Sequence, residues 1–349
     1  MKLKKKRKRK PKILKLTILF LILFLALGLS EYGILRLRTS KVEARYITSF
    51  NHPTPGQRVL VFAPHPDDET LATGGRIYRA TSQGDAVAVA FLTNGDSFYG
   101  SLKKQLGSRP PKPADYLNLG YQRQKEAEQA LNILGVKKEN IFFLGYPDKG
   151  LGIIWKQYQA PERSYTSLAT RKKAVPYQNA LSPGAPYTAS AILQDLDKIL
   201  TDFQPTEVYL PDMEDTHPDH RAAGALGLMV ILATKQKQNN FRPQLYSYLI
   251  HAGSWQTTPL WFKNIPLVPP PKFLKRGNNW VKYPLAPLER TKKKRALRQY
   301  KTQLRVRRTF LLNFDRPNEI FYKLTENELA RLSKSINEEA DKGKEELFL

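Results

Sequence analysis

From residue 58 onward, short apolar runs alternate with stretches of helical periodicity. Residues 58–63, Arg-Val-Leu-Val-Phe-Ala, have the length and composition of a strand buried on both faces. Residues 86–93, 140–144, 207–210 and 245–250 predict four more strands. Between them, residues 70–82, 123–134, 189–203 and 220–233 predict helices. The third of these carries Ile192, Leu193, Leu196, Ile199 and Leu200 on one stripe. This alternation predicts an α/β fold, Rossmann-like, with a mostly parallel sheet and helices on both faces.

The ends follow other patterns. Residues 1–12 form a basic arm, and residues 13–35 are apolar enough to predict a transmembrane signal-anchor helix. A cleaved signal peptide and a buried core helix are the competing readings. The cations ahead of the apolar run place the N-terminus on the cytoplasmic side and the body outside the cytoplasm, membrane-anchored by a single pass. Signal cleavage would instead give a secreted body. Residues 36–57 read as a linker, with His52 outside any periodic context, and residues 58–255 as the catalytic domain. Residues 256–289 predict a Pro/Trp-rich loop. Trp255, Trp261 and Trp280 in and beside that loop either stack on sugars or cover the sheet edge. Residues 290–325 predict a basic helix, spanning 290–308 with Leu288, Leu297, Tyr300 and Leu304 partly buried, and a closing segment of the same domain. Residues 326–349 read as a charged helix or tail.

Charge and composition sharpen the picture. The formal net charge is +26, but residues 1–15 contribute +10 and residues 272–308 contribute +13, which leaves the rest nearly neutral. Basicity therefore belongs to two appendages. The second reads either as a plain solvated face or as a surface for anionic lipid or a phosphorylated or acidic glycan. Nucleic acid is the other reading, but no recognition motif accompanies the charge. The chain has no cysteine, which removes disulfides, thiolate metal sites and Cys nucleophiles. No glycine fingerprint follows the first strand, so a nicotinamide cofactor is not expected.

The chemistry gathers where strands end. The five strands run into His65, into Asn94-Gly95-Asp96, into Asp148, into Asp212 and the His217 loop, and into His251. Ligands of open α/β sheets sit beyond these carboxyl ends. Pro64-His65-Pro66-Asp67-Asp68-Glu69 and Asp215-Thr216-His217-Pro218-Asp219-His220 supply the donors of a mononuclear metal hydrolase. His65 and Asp68, three residues apart at a turn, with His220, can hold one ion, and Asp67 beside them can act as general base. His217 can polarise a carbonyl or protonate a leaving amine, with Asp219 to orient it. Glu69 reads equally well as a first-turn acid on the helix dipole.

The paired motifs His65-Pro66-Asp67-Asp68-Glu69 and His217-Pro218-Asp219-His220 resemble those of the PIG-L/LmbE-like zinc-dependent de-N-acetylase family, whose name-giving activity acts on N-acetylglucosaminyl-phosphatidylinositol. The likeness extends to Thr93-Asn94-Gly95-Asp96, Arg123 with Glu126, Leu144-Gly145-Tyr146-Pro147-Asp148, Tyr248-Leu249-Ile250-His251, Tyr300, Gln303 and Arg316-Pro317-Asn318-Glu319. It implies Zn2+, one divalent ion per site, held by His65, Asp68 and His220. It also implies Asp67 as base to a zinc-bound water, and His217 with Asp219 as an electrostatic pair. Arg123 and Asp148 are implied near the sugar, and Asn94 and His251 at strand exits join them as substrate-contact candidates. The expected substrate is an N-acetylated amino sugar in a glycolipid, polysaccharide or glycoconjugate, possibly lipid-linked or anionic. A non-catalytic glycan-binding protein that keeps the metal site is the alternative. In one respect the chain departs from the family: Asp215 stands where some members carry a tyrosine.

Overall fold

The computed structural model describes residues 10–50, 56–159, 162–253 and 263–345. The first elements are α1 (Lys10–Tyr46), β1 (Ile47–Ser49), β2 (Arg58–Ala63), α2 (Asp68–Ser82), β3 (Ala86–Thr93), α3 (Tyr99–Leu106), α4 (Pro113–Ile133), β4 (Ile141–Tyr146) and α5 (Leu151–Gln157). They are followed by α6 (Ala189–Phe203), β5 (Glu207–Pro211), α7 (Pro218–Lys237), β6 (Gln244–Tyr248), β7 (Trp280–Pro284), α8 (Pro287–Leu297), α9 (Lys301–Leu312), β8 (Asn318–Lys323) and α10 (Glu326–Glu345).

Eight strands form one sheet in the order β1-β7-β8-β6-β5-β2-β3-β4. The five expected strands are its parallel centre, β6-β5-β2-β3-β4. Their apolar runs are continuous because both faces are covered. In β2, Leu60 and Phe62 point into one core with α6 and α7, whereas Val59, Val61 and Ala63 point into the other with α2 and α4. The α/β class with a mostly parallel sheet is therefore the observed fold.

The structure corrects three expectations. First, α1 does not stop at residue 35 but runs to Tyr46, and β1 follows, so residues 36–49 are regular structure rather than linker. His52 lies outside the described residues. Second, the stretch expected as a loop over 256–289 contains β7, which pairs with β8, and a 3-10 turn at Pro271–Arg276. Trp280 is fully buried against Phe273 and Tyr322, which excludes it from stacking on a sugar; Trp255 and Trp261 lie outside the described residues. Third, the basic run is two helices, α8 and α9, broken before Lys301 by the turn conformation of buried Tyr300. Leu288 is exposed rather than packed.

Candidate metal centre

Every parallel strand delivers one polar loop to the same end of the sheet. After β2 the chain turns sharply into α2, and Asp67 takes a φ of +131°, a conformation that a non-glycine residue adopts only under strain. That turn aims Asp67 and Asp68 together into the crevice. Glu69 holds it: its carboxylate accepts the Asp67 amide at 3.1 Å and the hydroxyls of Thr70 and Tyr300. Burial pushes the Glu69 carboxyl up to about 7 against these hydrogen bonds.

Asp68 is the hinge of the centre. Its Oδ2 lies 3.1 Å from His65 Nδ1 and 3.2 Å from His220 Nε2. The other side of the His65 ring, Nε2, lies 3.3 Å from Asp148 and 3.4 Å from Asp219. His220 Nδ1 lies 3.5 Å from Asp215. Ligand atoms of His65, His217 and His220 fall within 4.8 Å of one another, as do those of Asp68, His220 and His251.

The donor set fits a divalent cation. Five buried carboxylates, Asp67, Asp68, Asp148, Asp215 and Asp219, face one buried guanidinium, Arg123, and at most two imidazolium rings, so negative charge is in excess. Both nitrogens of the fully buried His220 lack an aligned hydrogen bond although carboxylates stand at ion-pair distance. Burial alone would lower the His220 pKa, but the charges of Asp68 and Asp215 hold it up to about 9. The charges and hydrogen bonds of His220 and His65 keep Asp68 well below the usual carboxylate range despite its burial. Burial pushes Asp67 well above it, against the pull of Arg123.

The other site residues divide. Arg123 and His251 line the crevice, with Lys149, Gln303, Arg307 and Phe310. The Arg123 guanidinium is committed to Gly95 O at 2.9 Å and Pro66 O at 2.6 Å, and lies 3.5 Å from Asp67. Gly95, at φ +60°, is required there because a Cβ would overlap that guanidinium. His251 stacks on Phe310 at 5.3 Å. Asp148 stands closer to the centre than a sugar contact needs, beside His65. Asn94 is a correction: it is fully buried and is not among the residues lining the crevice.

Asp219 is a second correction. Its carboxylate does not pair with the His217 ring; two backbone donors claim it, Lys149 N at 2.6 Å and Leu151 N at 3.1 Å. His217 is instead the N-cap of α7, its Nδ1 accepting the Asp219 amide at 3.3 Å. That leaves Nε2 as the protonated nitrogen of the neutral ring. Burial, with the charges of His65 and His220, lowers the His217 pKa to about 4, so the ring is neutral at pH 7. Sequence reasoning also missed Asp215, which accepts the amides of His217, Ile250 and His251 besides facing His220. Its place in a motif otherwise rich in site residues was the available signal.

A mostly parallel α/β sheet whose strand exits converge on a buried cluster of histidine and aspartate defines the class: an α/β protein with a metal-type centre. Residues 60–231, just under half of the chain, match the family model described as PIG-L: GlcNAc-PI de-N-acetylase; that matched segment is where the likeness is concentrated. It holds every residue of the cluster except His251. A diacetylchitobiose deacetylase of Thermococcus kodakarensis is 26% identical over 195 residues, 55% of this chain and 54% of its own. A probable N-acetyl-alpha-D-glucosaminyl L-malate deacetylase 2 of Bacillus cereus is 36% identical over 95 residues, 27% of this chain and 39% of its own. The chain thus spans about half the length of the first relative and less of the second. Among solved structures, an N,N'-diacetylchitobiose deacetylase from Pyrococcus horikoshii aligns with a TM-score of 0.46 at 21% identity, over 76% of this chain and 83% of that one.

Proposed function

We propose that the protein is a metal-dependent hydrolase that removes the N-acetyl group from an amino sugar in a glycolipid, polysaccharide or glycoconjugate. The observation that carries this reading is the convergence of His65, Asp68 and His220 beside the strained Asp67 at the floor of a crevice. The names of the relatives support the acyl group and the sugar. His65, Asp68 and His220 would hold the ion, with zinc the best match to a donor set of two imidazoles and one carboxylate. When bound, that ion supplies a Lewis acid that makes water a nucleophile near neutral pH.

The chain's own residues do the rest. Asp67 takes the proton of the attacking water, and its raised pKa suits it to carry that proton onward to the leaving amine. Arg123 fixes the Asp67 loop through the Gly95 and Pro66 carbonyls. His217, neutral and protonated on Nε2, donates to the oxygen that gains charge as the amide is attacked. Asp215 and Asp219 hold their loops through backbone amides and keep His220 and His65 in register. We read α1 as a single-pass anchor, with a cytoplasmic N-terminus and the body outside the cytoplasm. It is long and apolar enough to cross a bilayer, with mean hydropathy 2.3 over its best window.

The test is acetate release from N,N'-diacetylchitobiose and from a lipid-linked N-acetylglucosamine, before and after chelation and on zinc addition. Release that chelation abolishes and zinc restores is the expected result. Glycan binding with no release from either substrate, at full zinc occupancy, would replace the enzyme with a glycan-binding protein.

A further inference from the structure

We propose that the crevice end of the sheet is a membrane-docking surface, built to lie on a bilayer that carries anionic headgroups. The inference rests on reading the apolar part of α1 as a membrane span, and three independent observations point the same way.

The first is the direction of α1. β1 pairs parallel with β7, β7 antiparallel with β8, and β8 antiparallel with β6, so β1 runs in the direction of the central strands. Tyr46 joins it at Ile47, level with Trp280. Yet the helix before it does not continue away from the sheet. Leu35, Arg38, Thr39 and Val42 line one apolar groove whose facing wall includes Pro271, Leu274, Ile265 and Arg316. Asn318 pairs with Pro284, four residues beyond Trp280 toward the crevice end, and Arg316 lies two residues further. That is roughly 20 Å up the sheet at about 3.3 Å per residue. Residues 35–46 of α1, about 17 Å long at 1.5 Å per residue, therefore double back along the body, fixed by Glu43–Lys282 at 2.6 Å and the buried Thr39. The apolar residues before them emerge past the end where the crevice opens.

The second is charge. Helices α3 and α9 pack together over the crevice mouth, with Ser101 bonded to the Thr302 carbonyl at 3.3 Å. They expose Lys103, Lys104, Arg305, Arg307 and Arg308, and residues 97–114 and 297–312 contain no acid. Among the described residues none of these five cations has an acidic partner. The non-helical φ/ψ of Arg307 sits on the crevice wall itself, and the guanidinium lies over Phe98 at 5.4 Å.

The third is exposed apolar surface. Beyond α1, Tyr99 (50%), Ile153 (37%) and Leu168 (72%) stand among the exposed large hydrophobic side chains. Tyr99 and Ile153 lie on the segments that leave β3 and β4 at the crevice end, and Leu168 follows α5 further along the second of them. Cations interleaved with protruding apolar side chains are the composition of an interfacial surface. A soluble polyanion would use the cations but leave the apolar side chains in water, so the bilayer is the partner that fits both.

The chain has no cysteine, which allows single reporters in the full-length protein. Thr309→Cys on exposed α9 and Lys137→Cys before β4, at the opposite end, are labelled with bimane and reconstituted in nanodiscs containing headgroup spin-labelled lipid. Quenching at Thr309 at least threefold greater than at Lys137 in phosphatidylglycerol is expected. The excess should fall by half or more in phosphatidylcholine, and likewise with Arg305→Glu/Arg308→Glu in phosphatidylglycerol. Equal quenching at the two positions, stronger quenching at Lys137, or indifference to both lipid and charge would overturn the docking surface. So would protection of Thr309 by soluble polyphosphate without lipid contact. Acetate release from N,N'-diacetylchitobiose is followed on the same samples: turnover without lipid contact retires the docking surface alone, and lipid contact without turnover retires the hydrolase reading alone.

Discussion

Two clusters of buried charge share α2, one at Gly75 and Arg76 and one at its first residue, Asp68, and only the second is open. In the first, Arg76 makes a bidentate pair with Glu207 at 2.9 and 3.0 Å, and Tyr209 donates to the same carboxylate. Beside it, Glu319 accepts Lys293 at 2.7 Å and the amides of Gly75 and Arg76 at 2.7 and 3.0 Å. Charges balance there and the carboxylates are saturated by aligned donors. In the second, around Asp68, carboxylates outnumber cations and the His220 nitrogens stay unaligned. Burial of charge is common to both and says nothing of function. What separates a structural cluster from a reactive one is whether its hydrogen bonds close without a ligand.

The largest effect expected from breaking this contrast is at Asp67. Asp67→Asn should lower turnover about 10²–10⁴-fold, the usual worth of a general base, while zinc content by atomic absorption stays at wild-type level. His65→Ala should lose both zinc and turnover. A variant that keeps both removes the assignment. Next, zinc at 100 times its dissociation constant should stabilise the wild-type chain by about 2.7 kcal/mol. Thermal unfolding of Arg76→Met should show the same zinc increment on a lower base, because the closed cluster takes no part in binding.

That lower base is the third prediction. Removing one partner from the closed cluster strands a charge, so Arg76→Met should cost about 3–5 kcal/mol in denaturant unfolding. Arg76→Met/Glu207→Leu together should recover most of the loss. Asp215→Asn should weaken zinc affinity about 10–100-fold, as for a group that orients a metal-binding imidazole, measured by competition with a chelating dye. Last, Gly95→Ala should add about 1–2 kcal/mol of backbone strain to the displacement of Arg123, and kcat for acetate release should fall as the Asp67 loop loosens.

The sequence made the centre of the sheet legible because β2 to β6 are buried on both faces and therefore read as unbroken apolar runs. It hid the other strands for the converse reason. β7 and β8 alternate with Lys282, Lys323, Asn318 and Glu319, and β1 is three residues long. At the site, the residues carried by the two motifs were readable because strand exits and helix starts fix where they go. Side-chain partners were not. Asp219 turns to the Lys149 and Leu151 amides, which no local pattern announces. The wall contributed by Gln303, Arg307 and Phe310 comes from a helix that reaches the crevice only through tertiary packing.

Tyr300 stands at the break between α8 and α9, and its hydroxyl reaches Glu69, which in turn grips the amide of Asp67. Two hydrogen bonds thus span from the roof of the cleft to the strained peptide on its floor. Any displacement of α9 would therefore be transmitted through Tyr300 and Glu69 to the strained Asp67 peptide.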